Sequence, residues 1–432
     1  MKHALTMMLT VLPAFVTPSQ GAENAGQPEA KTDKKPQTAP SGARMKPFKA
    51  HDGFGATAAE NKNRRLPHLR ANRAKRVSAA KIPDLKTWPG TPKVYSNLEV
   101  AVSPRAQWAF NLYRPRSKDL TDLSPSGYLE FRNIGIRPGR GASGLKWGSR
   151  EYNAPDRRFI DCDYTEIPKE HGLYVSNSGN TLLQRCTFLR VGSQGAQWAH
   201  RPRPYQQYFA DNAPYKSPPK HVVRDCHFVD CAQGGDRPSF NLTYFSPGTS
   251  ENPGTILIED SSFVCKWDKP RIDNAKSASP NARYSSGAIV VTPSQGNIPL
   301  DPRKGQMMKS VTLRNCLFDY TSGDRAIIEL RSVDDIVIEN CCFIARNHTQ
   351  SSVNIDRVSG RKSALNGTKS RRIVLRNNLS ANVKVRVGLG DGTRNAGVVT
   401  IPLHTPGQEV VYNAVTGKEI SRKTLKAAVT RK

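Results

Sequence analysis

The sequence predicts an all-β chain: a parallel β-helix, that is a solenoid of stacked coils, with a small β cap at its C-terminal end. Three observations carry the prediction. Six-residue segments recur along the chain, each with an apolar third position between mostly polar neighbours, the period-2 pattern of a half-buried strand. Asn or Asp fills the fifth position of nearly every segment, and cysteine the sixth position of most. An aromatic residue usually follows two positions later.

The segments superpose as Leu129–Ile134, Arg157–Cys162, Thr181–Cys186, His221–Cys226, Ile256–Ser261, Val311–Cys316, Ile336–Cys341 and Ile373–Asn378. Their third column reads Phe131, Phe159, Leu183, Val223, Ile258, Leu313, Ile338 and Leu375, apolar throughout. The fifth column is Asn or Asp in all rows but one, residue types that tolerate the left-handed backbone of a sharp bend. The sixth column holds Cys162, Cys186, Cys226, Cys316 and Cys341, small soft side chains suited to an inward corner. The aromatics Tyr164, Phe188, Phe228, Phe263, Phe318 and Phe343 then point inward again, ring over ring. The shortest row-to-row distances are 24 residues, Cys162 to Cys186, and 25 residues, Cys316 to Cys341, with longer rows carrying loop insertions. Repeats of this kind mark a stack in which each coil covers the next.

These rows resemble the coils of the right-handed parallel β-helix, pectate-lyase-like superfamily, with its Asn ladders and stacked interior aromatics. The resemblance covers Leu129 to Ser380 and implies the fold and its right-handed sense. It does not imply one activity, because that superfamily hosts lyases, hydrolases, epimerases and non-catalytic surface proteins.

The flanks read differently. Residues 1–21 have the layout of a secretory signal peptide: Lys2 and His3, an apolar run from Ala4 to Val16, then Ser19 and Gly21. The apolar run is shorter than the roughly 20 residues a membrane span needs, so a secreted chain without a transmembrane segment is expected. Residues 22–86 are expected to form a basic disordered arm or linker, densest in charge at Lys62, Arg64, Arg65, Arg70, Arg73, Lys75 and Arg76. The solenoid with its N-terminal lead-in then occupies 87–380. Short alternating runs separated by glycines over 381–420 form the cap, and 421–432 is a basic, frayed tail.

Lysine and arginine number 65 against 36 aspartate and glutamate, a formal net charge of +29. Such a charge attracts polyanions. With export and no nucleic-acid motif, the expected partner is an acidic polysaccharide or other polyanion and not nucleic acid. The oligomeric state is left open.

The second strand of each coil aligns as Leu173–Asn177, Gln197–Arg201, Phe240–Tyr244, Ile328–Arg331 and Val353–Arg357. Burying its apolar residues turns Tyr174, Ser176, Trp198, His200, Asn241, Thr243, Glu329, Arg331, Asn354 and Asp356 outward onto one face. Tyr174, Trp198, Arg201, Tyr244 and Arg331 are the expected substrate-binding residues, the rings for stacking on sugars and the guanidiniums for two-point contacts to carboxylates or sulfates. The aromatic insertion Pro202–Lys220 lies beside them. His200 is the candidate general base, with His171 as a second histidine, and Glu329 with Asp356 form a candidate carboxylate pair. Two functions stay open: a lyase or hydrolase of an acidic polysaccharide, or a non-catalytic polyanion-binding or adhesion protein. No metal cluster, zinc spacing or phosphate loop is visible, so no cofactor is expected. The cysteine column is expected to pack and not to react. Adjacent coils come close enough that some pairs could bridge, and Cys342, which cannot face inward together with Cys341, is the expected exposed or bridged thiol.

Overall fold

A computed structural model describes residues 74–77, 93–112 apart from 104, 128–140, 145–199 apart from 155 and 179, 220–231, 238–244, 254–265, 287–293, 308–320, 326–345, 352–357, 369–389 and 397–425. All regular structure among them is β. The chain lays down β1 (Ala74–Val77), β2 (Lys93–Val102), β3 (Trp108–Leu112), β4 (Tyr128–Pro138) and β5 (Trp147–Ala154). Strands then repeat in sets of three: β6 (Asp156–Ile160), β7 (Asp163–Thr165), β8 (Leu173–Ser178); β9 (Thr181–Gln184), β10 (Thr187–Leu189), β11 (Ala196–Ala199); β12 (Lys220–Arg224), β13 (His227–Val229), β14 (Pro238–Tyr244). The pattern continues with β15 (Thr255–Glu259), β16 (Ser262–Cys265), β17 (Gly287–Pro293); β18 (Met308–Arg314), β19 (Leu317–Tyr320), β20 (Ile328–Leu330); β21 (Val333–Glu339), β22 (Cys342–Ala345), β23 (Ser352–Ile355); and β24 (Arg372–Arg376), β25 (Leu379–Ala381), β26 (Lys384–Gly388). The chain closes with β27 (Val398–Pro402), β28 (Gln408–Asn413) and β29 (Glu419–Thr424).

Equivalent strands of successive sets pair in parallel. First and second strands, with β1, β2, β4, β28 and β29, form one 19-stranded sheet, and third strands, with β3, β5 and β27, form a 10-stranded sheet ordered β27-β26-β23-β20-β17-β14-β11-β8-β5-β3. This is a β-solenoid. No helix among the described residues is long and apolar enough to cross a membrane.

The repeat columns coincide with the register. The third-column residues pair in sequence, Phe159 with Leu183, Leu183 with Val223, Val223 with Ile258, and all are buried. The fifth column takes the left-handed backbone expected of it: φ is 50° at Asn133, 56° at Asp161, 53° at Asp225, 52° at Asn315 and 50° at Asn340. Arg185, the exception by residue type, has φ 53° too, and its guanidinium reaches back to Asp161 at 2.5 and 2.8 Å. Asn133 donates to Asn97, and Asn377 to Asn340, both at 2.9 Å, so bends on neighbouring coils hold one another.

Rings stack along the interior with centroid separations of 4.9 Å (Tyr164–Phe188), 4.7 Å (Phe188–Phe228 and Phe228–Phe263), 5.3 Å (Phe263–Phe318) and 4.6 Å (Phe318–Phe343). The stack imposes a glycine on the facing strand. A Cβ on Gly172 would sit 2.6 Å from the Gly195 carbonyl oxygen and 3.0 Å from the Phe188 ring. Each sixth-column thiol turns to the carbonyl two residues before it, as Cys226 does to Arg224 at 3.2 Å and Cys341 to Glu339 at 3.3 Å.

The fourth column carries a feature that the sequence reading passed over. Arg224, Glu259, Arg314, Glu339 and Arg376 occupy one outward row by parallel register. The row continues through the antiparallel strands to Glu409 and Lys423. The signs alternate and each charge pairs with its neighbours: Arg224–Glu259 at 2.5 Å, Arg314 with Glu339, Arg376–Glu339 at 2.7 Å, Arg376 with Glu409, and Lys423–Glu409 at 2.8 Å. Lys423 and Arg376 hold the Glu409 carboxyl below its ordinary pKa against the opposing effect of burial. Single exposed pairs stabilise by only about 0.2–1 kcal/mol. A ladder of alternating sign also opposes register slips, because a one-residue shift would break every rung.

Several boundaries move. β1 lies within the stretch expected to be an unstructured arm and pairs in parallel with β2, Ala74 opposite Leu98. β26, assigned by sequence to the cap, continues the parallel sheet beside β23, so that sheet runs past residue 380. β27, β28 and β29 add by antiparallel pairing. β29 takes up residues 421–424 of the expected frayed tail. The signal-peptide stretch, most of the arm and residues 426–432 lie outside the described residues.

Cys342 is a correction. It is 3% exposed and free, as all eight cysteines are buried and free. It does face away from the interior, in register with Leu317, Ser262, His227 and Thr187. That column lies just past the fifth-position bend, and Thr187, His227 and Ser262 in it are buried as well. Burial first, and then the Asp319 charge, raises its pKa to about 11, so the thiol stays protonated at neutral pH.

Candidate anion-binding face

The outward row of the ten-stranded sheet passes through Tyr174, Gln197, Asn241, Val290, Glu329, Asn354 and Arg386, joined rung by rung from β8 to β26. The expected face therefore exists, with changes in membership. Tyr174 belongs to it, largely covered and stacked on His171 at 5.6 Å and 20°.

Trp198 does not belong to it, and this corrects the sequence reading. It is 0% exposed, in register with Val175 and Leu242, and points into the coil. Its ring meets Phe240 edge-on at 4.8 Å and lies 5.2 Å from His221. The reading slipped by one residue here because β11 reads Ala-Gln-Trp-Ala: two alanines give no signal for the buried parity, and Gln197 takes the outward place. His200, Arg201 and residues 202–219 of the aromatic insertion lie outside the described residues, as does the side chain of Tyr244 at the end of β14.

Asp356 is the second correction. Period-2 alternation ends with β23 at Ile355, and Asp356 turns at φ 49° into a bend. Its carboxyl is 2% exposed and fully engaged: Oδ1 accepts from the Ser332 backbone N–H at 2.9 Å and from Ser370 Oγ at 3.1 Å, and Oδ2 accepts from the Ser370 N–H at 2.7 Å. Burial raises its pKa, opposed by these hydrogen bonds and by Lys369. Asp356 ties the bend of one coil to the start of the next. It does not face Glu329 across a substrate groove, so the expected carboxylate pair is not assembled.

What the face does assemble is a group of arginines. Arg331 reaches the Glu329 carboxylate at 3.4 Å, both side chains being mostly shielded. Arg357 follows Asp356 in the bend after β23, and Arg386 stands on β26 beside Asn354. The Arg357 pKa is lowered by burial, then by the like charge of Arg386, with Glu329 opposing both. Arg331 and Arg357 thus both feel the Glu329 carboxylate, and Arg386 lies close enough to Arg357 to repel it. Asn354 accepts from Ser352 Oγ at 2.9 Å through Oδ1, which leaves its amide N–H₂ to donate. Sequence reading named Glu329 and Arg331 but missed Arg357 and Arg386. Arg386 sits in a run assigned to the cap, and only the parallel β23–β26 register brings it here.

No family model, curated protein or solved structure matches the chain.

Proposed function

We propose that the protein binds an acidic polysaccharide through the outward face of its ten-stranded sheet, and that it does so without cleaving it. The observation that carries this reading is the gathering of Arg331 and Arg357 about the Glu329 carboxylate, with Arg386 beside Arg357. Guanidiniums grouped on one sheet suit carboxylates or sulfates, which they hold in two-point contacts. The chain's net charge of +29 adds a long-range attraction of the same sign. Binding without cleavage is favoured because Asp356 is committed to backbone hydrogen bonds. The same proposal takes the solenoid as right-handed and pectate-lyase-like, β27 to β29 as its cap, and residues 1–21 as an export signal that delivers it to extracellular or periplasmic polymers.

Affinity electrophoresis through polygalacturonate, heparin and neutral dextran tests this, with product analysis of each polymer after incubation. The acidic polymers should retard the protein and emerge uncut, and replacing Arg331, Arg357 and Arg386 together by Gln should remove most of the retardation. Equal retardation by dextran overturns the binding reading. Shortened products that the purified protein alone generates overturn the non-catalytic one.

A further inference from the structure

The same sheet ends in a pocket whose apolar base is the end of the core, at Val383, Ile401 and Leu403. Where the antiparallel strand β27 joins β26, a cavity of about 400 Å³ opens between Ser380, Asn382, Val383 and Lys384 on one side and Thr400, Ile401, Pro402, Leu403 and His404 on the other. That volume falls in the range of small-molecule sites, about 300–1,000 Å³.

The lining has a definite polarity. Val383, Ile401 and Leu403 are buried and form an apolar floor. Lys384 is exposed and stands opposite Pro402 in the strand pair. Proline has no N–H, so the rim beside the ammonium offers no competing backbone donor. His404 accepts the Ser380 backbone N–H at Nδ1, 3.1 Å away. With Nδ1 accepting, the donor that the ring presents is Nε2–H. The Ser380 hydroxyl is already used, donating to the Val383 carbonyl at 2.7 Å. Among the described residues, the lining thus contains the Lys384 ammonium, an imidazole N–H, the Thr400 hydroxyl and the Asn382 amide, and no carboxylate.

We propose that this pocket binds a small organic monocarboxylate whose ring or chain covers the apolar floor. A single ammonium matches a single negative charge, Nε2–H and Thr400 supply directional donors for the remaining lone pairs, and the floor rewards a ligand with carbon surface over a bare ion. The inference does not rest on the polysaccharide reading. The pocket borders the arginine group at Arg386, which stands opposite Thr400 in the β26–β27 pair, whereas Arg331 follows β20, two strands away.

Equilibrium dialysis of the full chain against radiolabelled glucuronate tests it, with glucose and inorganic phosphate as competitors. Saturable binding is expected, unaffected by glucose and only weakly reduced by phosphate. Lys384→Ala should weaken it about tenfold, the loss of one charge-assisted contact, and Lys384→Arg should largely restore it. Arg331→Gln, two strands away, should leave it unchanged while weakening retention on acidic polysaccharide. Absence of saturable binding, equal competition by glucose, or full affinity in Lys384→Ala overturns the proposal. Phosphate competing as well as unlabelled glucuronate overturns the role of the apolar floor.

Discussion

Phe228→Ala is the sharpest probe of how the solenoid is held together. The ring is 0% exposed, lies between Phe188 and Phe263 at 4.7 Å on either side, and meets Phe240 edge-on at 6.2 Å. An aromatic side chain buries about 150–250 Å², which at about 25 cal/mol per Å² amounts to about 4–6 kcal/mol as an upper figure. The rings above and below cannot close the gap, because each is fixed by its own strand. The loss should therefore fall near the usual range for such truncations, about 3–5 kcal/mol. Stability in a stacked repeat is a sum over neighbours, so the loss should also be local. Hydrogen exchange followed by mass spectrometry is the assay. Protection should fall in β10, β13 and β16 and remain in β24 and β28. A loss under about 1 kcal/mol, or one spread evenly from β6 to β28, would refute the idea that the ring column is the solenoid's axial support.

Other consequences follow from single residues. Asp356→Asn should destabilise by about 1–3 kcal/mol, since the amide turns an N–H toward the Ser370 N–H that the carboxylate accepts. Because burial raises the Asp356 pKa above 3.8, the wild-type advantage should be widest in acid and shrink as pH rises through the folded-state value. Urea melts across pH check this, and a gap that widens with pH contradicts it. Glu339→Lys places a cation between Arg314 and Arg376, so it should cost about 1–2 kcal/mol at low ionic strength. Half a molar salt should recover part of that cost, whereas a salt-independent loss would point to packing instead. A maleimide should label no cysteine in the native protein and all eight in denaturant; native labelling at Cys342 would contradict its shielded place.

The solenoid was legible because its requirements repeat. A buried apolar position, a left-handed bend, a small corner residue and an inward ring recur in each row, so an error in one row is corrected by the others. The site was less legible because its members do not repeat. Trp198 was misread where alanines blur the alternation, and Asp356 where a bend ends it. Cys342 shows that a residue turned away from the core beside a bend can still be buried. The alternating charges of Arg224, Glu259, Arg314, Glu339 and Arg376 were present in the aligned rows and needed only to be read down the column. Arg386 and Arg357 could not be placed that way, because their proximity depends on β26 continuing the parallel sheet and on the turn after Ile355.

The central claim, an anion-binding face on the ten-stranded sheet, is tested most directly by polygalacturonate binding at stepped salt concentrations. The wild type is compared with a chain carrying Gln at 331, 357 and 386. Exposed charge attraction is screened within about 10 Å at 0.1 M salt. The wild type should bind tightly at low salt with a steep decline, and the variant should bind more weakly with a shallower one. Identical affinity and identical salt dependence in the two proteins would place the polyanion site elsewhere on the chain.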